Sequence, residues 1–131
     1  MKNRIFCPED TKLKEYLLAI NAVKKIPVYK LEDLCIKYSG CTDEKKREKI
    51  RPEIIEQNLK QVISIAAGYR GAGLTFAALI GAGNRALIDC VINLTPDETE
   101  NVSAYIAWCI EGGVIDSIVN LKKTFNKNGR G

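Results

Sequence analysis

The chain has 131 residues, of which 46% are hydrophobic and 27% are charged, and its formal net charge is +4. This length is typical of one domain, so we predict a single domain over 1–131. The composition favours a folded chain over an intrinsically disordered one, because enough apolar surface is present to offset the loss of chain entropy on folding. The net charge is too small to indicate nucleic-acid binding by itself.

The charge is distributed unevenly along the chain. Residues 1–70 carry fifteen Lys and Arg against ten Asp and Glu, whereas 71–112 carry Arg85 against five acidic residues. Residues 113–131 are basic again, with four basic side chains against one acidic side chain. No lysine occurs between Lys60 and Lys122. A segment so poor in lysine is expected to be buried or to be covered by a partner.

Two helices are predicted at the start of the chain. The first opens at the Pro-Glu-Asp turn 8–10 and ends near Lys25, because Pro27 disfavours helical conformation in the residue before it. The second runs over 29–38, where apolar residues repeat at helical spacing. A left-handed glycine at Gly40 is predicted to end it.

The middle of the chain continues the helical pattern with two interruptions. A third helix begins at Thr42, and Pro52 is expected to break or kink it before the pattern resumes over 53–69. The segment 73–94 has helical spacing but is rich in Ile and Val. We favour a helix there with a break at 81–83, although strands in this segment would make the fold α+β.

The clearest local signal is Thr95-Pro-Asp-Glu98, a capping box with proline at the first helical position. The helix that it starts is predicted to end at the glycine pair 112–113, and a last helix to cover 114–125. A frayed tail is expected from about residue 126. These elements predict an all-α fold, an irregular bundle of about six or seven helices.

The chain lacks features that most enzymes need. It has no histidine, which excludes histidine-based triads, histidine acid–base catalysis and histidine metal ligands. Its five cysteines include no CxxC pair, so we predict reduced thiols in a cytoplasmic protein. The longest uncharged stretch, 71–84, is too short to span a bilayer. We therefore predict a protein that is not an enzyme, with no cofactor, no metal site and no membrane partner.

Two Gly-Ala-Gly elements, each beside an arginine, form the main candidate site. Glycine lets backbone amides approach an anion, and arginine grips phosphate or carboxylate with two hydrogen bonds. The hypothesis is that these residues bind an anionic ligand or an acidic partner, although close helix packing is the favoured explanation of the glycines. The candidate residues are Tyr69, Arg70, Gly71, Gly73, Gly81, Gly83, Asn84 and Arg85.

Two further groups are candidates for contact with a partner. A basic run could contact phosphates, although a solvated helix face explains it equally simply and is favoured. Tyr105 and Trp108 are neighbours on one helix, and an exposed Trp108 would indicate an interface, whereas a core tryptophan is the favoured interpretation. The basic run consists of Lys45, Lys46, Arg47, Lys49 and Arg51.

These observations predict a small helical binding protein that acts through protein–protein interaction, as an inhibitor, an immunity or antitoxin-like protein, or an assembly subunit. Self-association through 71–112 is expected, which would make it a homo-oligomer. The alternative is a protein that binds a phosphate-bearing ligand, either nucleic acid along 45–51 or a nucleotide at Arg70 and Arg85.

Overall fold

A computed structural model describes residues 12–129, with side chains described for 12–125. Over these residues the chain is all-α, as predicted, and it contains no strand. Asn58 alone separates the third and fourth helices, and a short 3-10 helix runs directly into the last one, which leaves five continuous helical segments instead of six or seven. The elements are α1 (Leu13–Asn21), α2 (Val28–Gly40), α3 (Glu44–Gln57), α4 (Leu59–Ala67), α5 (Phe76–Ile92), the 3-10 helix (Pro96–Asn101) and α6 (Val102–Gly129).

Helix α5 is the centre of the bundle, and it packs against α3, α4 and α6. Its side chains Leu79, Ile80, Leu87 and Val91 are fully buried. A helix that is apolar on most of its circumference is expected at such a central position, because neighbours cover it from several sides. The segment 73–94 is therefore helical, as favoured, over Phe76–Ile92.

The sequence predicted a break or a kink at Pro52, and the structure shows no break there. Pro52 lies inside α3, and both this proline and Glu48, whose carbonyl loses its usual donor, are on the exposed side of the helix. The helix is interrupted at Asn58, which has φ −106° and ψ 0° and divides the predicted helix 53–69. The buried Asn58 side chain donates a hydrogen bond of 2.8 Å to the Ile54 carbonyl oxygen.

The ends of the first two helices also differ from the prediction. Helix α1 ends at Asn21, before the predicted Lys25, and the predicted start at 8–10 lies outside the described residues. Gly40 belongs to the last turn of α2, and the chain leaves the helix through Cys41 with φ −86° and ψ 126°. The expected left-handed glycine is therefore not used at this helix end.

The glycine pairs at 81–83 and 112–113 do not interrupt their helices, so both predicted breaks were wrong. A Cβ atom added to Gly113 would lie 2.4 Å from Ala86 Cβ, and one added to Gly83 would lie 2.8 Å from Val62 Cγ1. These glycines are therefore sites of close approach between helices, where no side chain fits. Helix α6 consequently continues through Gly112 to Gly129, past the position where the tail was predicted to begin.

The predicted capping box at Thr95 and Glu98 is confirmed, and it starts the 3-10 helix that leads into α6. The Thr95 backbone N–H donates to Glu98 Oε1 at 2.8 Å, and the Thr95 hydroxyl donates to the same atom at 3.0 Å. A hydrogen bond from the Tyr105 hydroxyl, followed by those from Thr95, holds the pKa of Glu98 below its ordinary value.

We expect Glu98→Ala to lower the free energy of unfolding by about 1 kcal/mol, because three donors lose a charged acceptor. Glu100→Ala, which changes an exposed glutamate two residues away, is the control and should leave stability unchanged. Urea unfolding measures both. Since the pKa of Glu98 is lowered in the folded protein, the difference in stability between the unmodified chain and Glu98→Ala should be complete above pH 4.5, the ordinary pKa. This difference should shrink as the pH falls below that value. Equal stability of the two variants would contradict the prediction.

Candidate interaction surfaces

The first Gly-Ala-Gly element forms the loop between α4 and α5. Gly71 and Gly73 have φ of 90° and 110°, the conformation that glycine adopts without strain. The Arg70 guanidinium carbon lies 4.3 Å from the centre of the Phe76 ring, so this arginine stacks on the first turn of α5. The Tyr69 hydroxyl donates to Glu111 Oε2 at 3.1 Å, which raises the pKa of Tyr69.

The second element lies inside α5 and is mostly buried. Gly81, Gly83 and Asn84 are buried, and Asn84 Nδ2 donates to the Tyr16 hydroxyl at 3.0 Å. The backbone N–H groups of these residues donate hydrogen bonds within the helix, so these N–H groups are not available to a ligand. Arg85 is the exposed member of this element and borders the groove between α5 and α6. The structure thus separates the candidate residues into a loop, a core segment and one exposed arginine.

The basic run 45–51 divides into two kinds of residue. Arg47 and Arg51 face Tyr38, with guanidinium carbons 4.5 Å and 5.7 Å from its ring centre. Arg51 also pairs with Glu44 at 2.7 Å, and this hydrogen bond lowers the pKa of Glu44. These two arginines therefore hold α3 against α2. The lysines at 45, 46 and 49 are exposed on the outer face of α3.

A basic surface that sequence reasoning missed lies around α1 and α4. One groove of about 480 Å³ is bordered by Lys14 and Lys60, and a neighbouring groove of about 460 Å³ is bordered by Lys25 and Lys60. In the described part of the chain, no acidic side chain lines either groove. We call this the basic face. The sequence carries no local signal for it, because its lysines are separated by up to 46 positions and meet through helix packing.

A groove with the opposite sign of charge lies between α5 and α6 and has a volume of about 590 Å³. Asp89 and Asp116 line it together with Arg85, Tyr105 and Trp108. We call this the acidic groove. Both aspartates and the arginine come from the lysine-free stretch between Lys60 and Lys122.

Trp108 is exposed, so the favoured interpretation of a core tryptophan was wrong. Its side chain is 72% accessible, and its ring centre lies 6.3 Å from that of Tyr105. Tyr105 is half-buried, and its hydrogen bond to Glu98 raises its pKa. The inward face of α6 is occupied by aliphatic residues such as Ile106 and Ile110, which leaves the two aromatic rings at the groove.

The cysteines contribute to packing. Cys35, Cys41, Cys90 and Cys109 are free thiols, and Cys35 and Cys90 are buried. Burial raises the pKa of Cys35 to about 11, so its thiol stays protonated at neutral pH. In the described residues, the two buried thiols therefore behave as small core side chains.

The fold and these surfaces define a helical domain with a basic face around α1 and α4 and a groove with two aspartates between α5 and α6. Residues 54–124, more than half of the chain, match the family model of Sigma-70 region 2. The chain therefore belongs to the Sigma-70 region 2 family.

Two relatives with curated names show the extent of the similarity. The RNA polymerase sigma factor RpoS of Coxiella burnetii is 36% identical over 76 residues, which cover 58% of this chain and 22% of that protein. The RNA polymerase sigma factor RpoH of Zymomonas mobilis is 29% identical over 110 residues, which cover 84% of this chain and 35% of that protein. The chain thus spans about a fifth to a third of the length of these relatives.

Proposed function

We propose that this chain is a transcription-initiation protein that binds core RNA polymerase and promoter DNA as region 2 of a sigma factor does. The observation that carries the proposal is the family match over 54–124, which contains the whole of α4 and α5 and most of α6. Sigma factors act by binding and are not catalysts by themselves, which agrees with the prediction of a protein that is not an enzyme. A cytoplasmic location fits this role.

The basic face supports the DNA half of the proposal. Lysine ammonium groups neutralise backbone phosphates and release counterions, which supplies affinity that depends on salt and not on sequence. Lys14, Lys25 and Lys60 offer three such groups beside shallow grooves, and the exposed lysines of 45–49 add more. This refines the earlier alternative of nucleic-acid binding, because Arg47 and Arg51 are engaged with Tyr38.

Two earlier hypotheses remain predictions. Self-association through 71–112 has no support from the family relationship, and light scattering on the purified chain tests it. Binding of a nucleotide or another anion at Arg70 and Arg85 would require both guanidinium groups, which the structure places at Phe76 and at the acidic groove, respectively.

The proposal is tested with the full chain, core RNA polymerase and a fluorescent duplex that carries a promoter. The chain should co-elute with the core enzyme on size exclusion and increase its retention of the duplex. Replacement of Lys14, Lys25 and Lys60 by Glu should weaken DNA retention by tenfold or more and flatten its salt dependence. The control is Lys30→Glu with Lys37→Glu, which reverses two exposed lysines of α2 and is compared with each pair of reversals among Lys14, Lys25 and Lys60. Failure to bind core enzyme would contradict the proposal. Equal DNA retention by both variants would show that the basic face does not bind the DNA.

A further inference from the structure

We propose that Cys90 and Cys109 form a redox switch, in which oxidation joins them in a disulfide that ties α5 to α6 and weakens the binding activity of the chain. The two residues belong to the helices that border the acidic groove, and the proposed function assigns no role to their thiols. The effect on binding rests on the proposed function, whereas the formation of the disulfide does not depend on it.

Helices α5 and α6 approach each other closely beside this pair. A Cβ atom added to Gly113 would lie 2.4 Å from Ala86 Cβ, which is less than the separation of about 3.5–4.5 Å between the Cβ atoms of a disulfide. Cys90 follows Ala86 by four residues, and Cys109 precedes Gly113 by four residues, so each cysteine lies about one helical turn from this contact. The backbones are therefore close enough for a disulfide to join them at the next turn.

The two thiols already touch in the reduced chain. Cys90 and Cys109 are free cysteines joined by a hydrogen bond, and both line the groove between α5 and α6. This contact also shows that α5 and α6 run antiparallel, because residues later in α5 meet residues earlier in α6. A disulfide requires the two sulfur atoms to lie about 2 Å apart, and rotation of the two side chains is the main change that brings them there.

The two thiols differ in their access to solvent, which sets the order of the reaction. Cys90 is buried, and burial, followed by the hydrogen bond to Cys109, raises its pKa, so this thiol stays protonated and does not react first. Cys109 is half-buried on the wall of the groove, where a small oxidant reaches it. Cys109 is therefore oxidised first, and Cys90 completes the disulfide.

The reaction balances with hydrogen peroxide as the oxidant. The Cys109 sulfur attacks one peroxide oxygen, the O–O bond breaks, and one water leaves while Cys109 becomes a sulfenic acid. The Cys90 sulfur then attacks the Cys109 sulfur, the S–O bond breaks, and a second water leaves. The two thiols together lose two electrons and two protons to the peroxide. The second step occurs between groups already in contact, and this proximity offsets the low reactivity of the protonated Cys90 thiol.

The disulfide changes the groove at Tyr105. In the reduced chain the side chain of Tyr105 is hydrogen-bonded to Glu98 and also to Cys109. Bond formation with Cys90 removes the hydrogen of the Cys109 thiol and turns its sulfur toward α5, so the contact with Tyr105 is lost. Tyr105 is the ring neighbour of Trp108 in the groove, and this part of α6 lies in the segment that matches Sigma-70 region 2. Oxidation is therefore expected to disturb the surface through which the chain is proposed to bind.

Cys35 of α2 is a poorer partner for Cys90 than Cys109 is. It acts on Cys90 through charge, whereas Cys109 is hydrogen-bonded to Cys90. Cys35 is fully buried, and burial, followed by the charge of Glu32, raises its pKa to about 11. An oxidant in solvent therefore does not reach the Cys35 thiol, and this thiol is not activated for attack.

The disulfide is tested by mass spectrometry of the full chain after treatment with hydrogen peroxide and alkylation of the remaining thiols with iodoacetamide. The oxidised chain should lack two hydrogen atoms and escape alkylation at two cysteines. Trypsin leaves Cys90 and Cys109 in one peptide, because no lysine or arginine lies between Arg85 and Lys122. Cleavage after the glutamates at 98 and 100 separates the two cysteines, and the resulting peptides should remain linked until a reductant is added. Absence of the linked product, or linkage of Cys90 to a different cysteine, would overturn the inference.

The effect on binding is measured with chain that has been oxidised and freed of peroxide before it is mixed with core RNA polymerase and the fluorescent promoter duplex. Oxidised chain should support duplex retention roughly threefold or more weakly than reduced chain, and dithiothreitol should restore it. Cys90→Ala and Cys109→Ala should each abolish the difference between oxidised and reduced samples of the same variant. Cys7→Ser/Cys41→Ser, which removes two cysteines outside the pair, is the control and should keep the difference.

The outcomes separate this inference from the proposed function. Equal retention by the reduced chain and by chain fully converted to the disulfide would overturn the regulatory role of the pair. Failure of the reduced chain to bind core enzyme would contradict the proposed function instead, and the linked peptides would still show whether Cys90 and Cys109 form the disulfide.

Discussion

Replacement of Gly113 by alanine is expected to lower the free energy of unfolding by about 1–3 kcal/mol. The new Cβ would lie 2.4 Å from Ala86 Cβ and 3.2 Å from the Ala82 carbonyl oxygen. Both neighbours belong to α5 and cannot move away by a rotamer change, because one is a Cβ and the other is backbone. The helices α5 and α6 must therefore separate, and the packing around the central helix is lost in part.

Gly112→Ala makes the same chemical change one position earlier and is the matched control. No atom lies within 4 Å of the Cβ that it would add. Since alanine favours a helix interior over glycine by roughly 0.5–1 kcal/mol, this variant should be as stable as the unmodified chain or more stable. Urea unfolding followed by circular dichroism measures both. Equal loss of stability in the two variants would show that the Gly113 contact does not limit the packing of α5 on α6.

A second variant identifies the atoms responsible. In the Gly113→Ala background, Ala86→Gly removes the Cβ that the new side chain meets most closely. It should restore part of the lost stability, although glycine within α5 itself costs up to about 1 kcal/mol. The free energies of unfolding lost in the two single variants can be added to predict the loss in the double variant. A double variant that loses more than this sum would contradict the proposed contact.

The same glycines show why the helix ends were harder to predict than the helices. Gly112 and Gly113 look like a stop signal along the sequence, because glycine is common after a helix end. The role of Gly113 depends on Ala86, which precedes it by 27 residues, and no local pattern reveals that contact. The capping box at Thr95 was predicted correctly because all its partners lie within three residues.

The surface features also differ in whether they depend on residues near in sequence or on residues that meet only in the fold. The acidic excess of 71–112 was visible in the sequence, but the groove beside Trp108 takes only the charges of Arg85 and Asp89 from that segment, and its excess negative charge comes from Asp116. The exposure of Trp108 was not visible, since Ile106 and Ile110 on the same helix occupy the inward face in its place. The basic face was missed because Lys14 and Lys60 are far apart in sequence and meet only when α1 packs on α4.

The basic run 45–51 illustrates how one pattern can hold two functions. A run of cations suggests a phosphate-binding face, yet two of its members are directed inward by a buried tyrosine. Arg47 also donates to the Ile92 carbonyl oxygen at 3.0 Å, which links α3 to the end of α5. The sequence could not assign these arginines to packing, because Tyr38 and Ile92 lie outside the run.

Tyr38→Ala should therefore cause one of the largest losses of stability in the chain, about 3–5 kcal/mol. The Tyr38 side chain is fully buried, its ring lies 4.5 Å from the Arg47 guanidinium carbon, and its hydroxyl accepts a hydrogen bond of 2.8 Å from Arg51 Nε. Its removal opens a cavity between α2 and α3 and leaves both arginines without their ring partner. Tyr29→Ala, at a 63% exposed tyrosine of the same helix, is the control and should change stability by no more than about 0.5 kcal/mol.

Tyr38→Phe separates the contribution of the ring from that of the hydroxyl. It keeps the buried ring beneath Arg47 and removes the acceptor of the Arg51 hydrogen bond, so we expect a loss of about 0.5–1.5 kcal/mol. Urea unfolding of the three variants measures these differences. If Tyr38→Phe lost as much stability as Tyr38→Ala, the hydrogen bond to Arg51 would be the main link between α2 and α3, and ring burial would be secondary. A small loss for Tyr38→Phe beside a large loss for Tyr38→Ala would establish that the ring itself positions the two arginines.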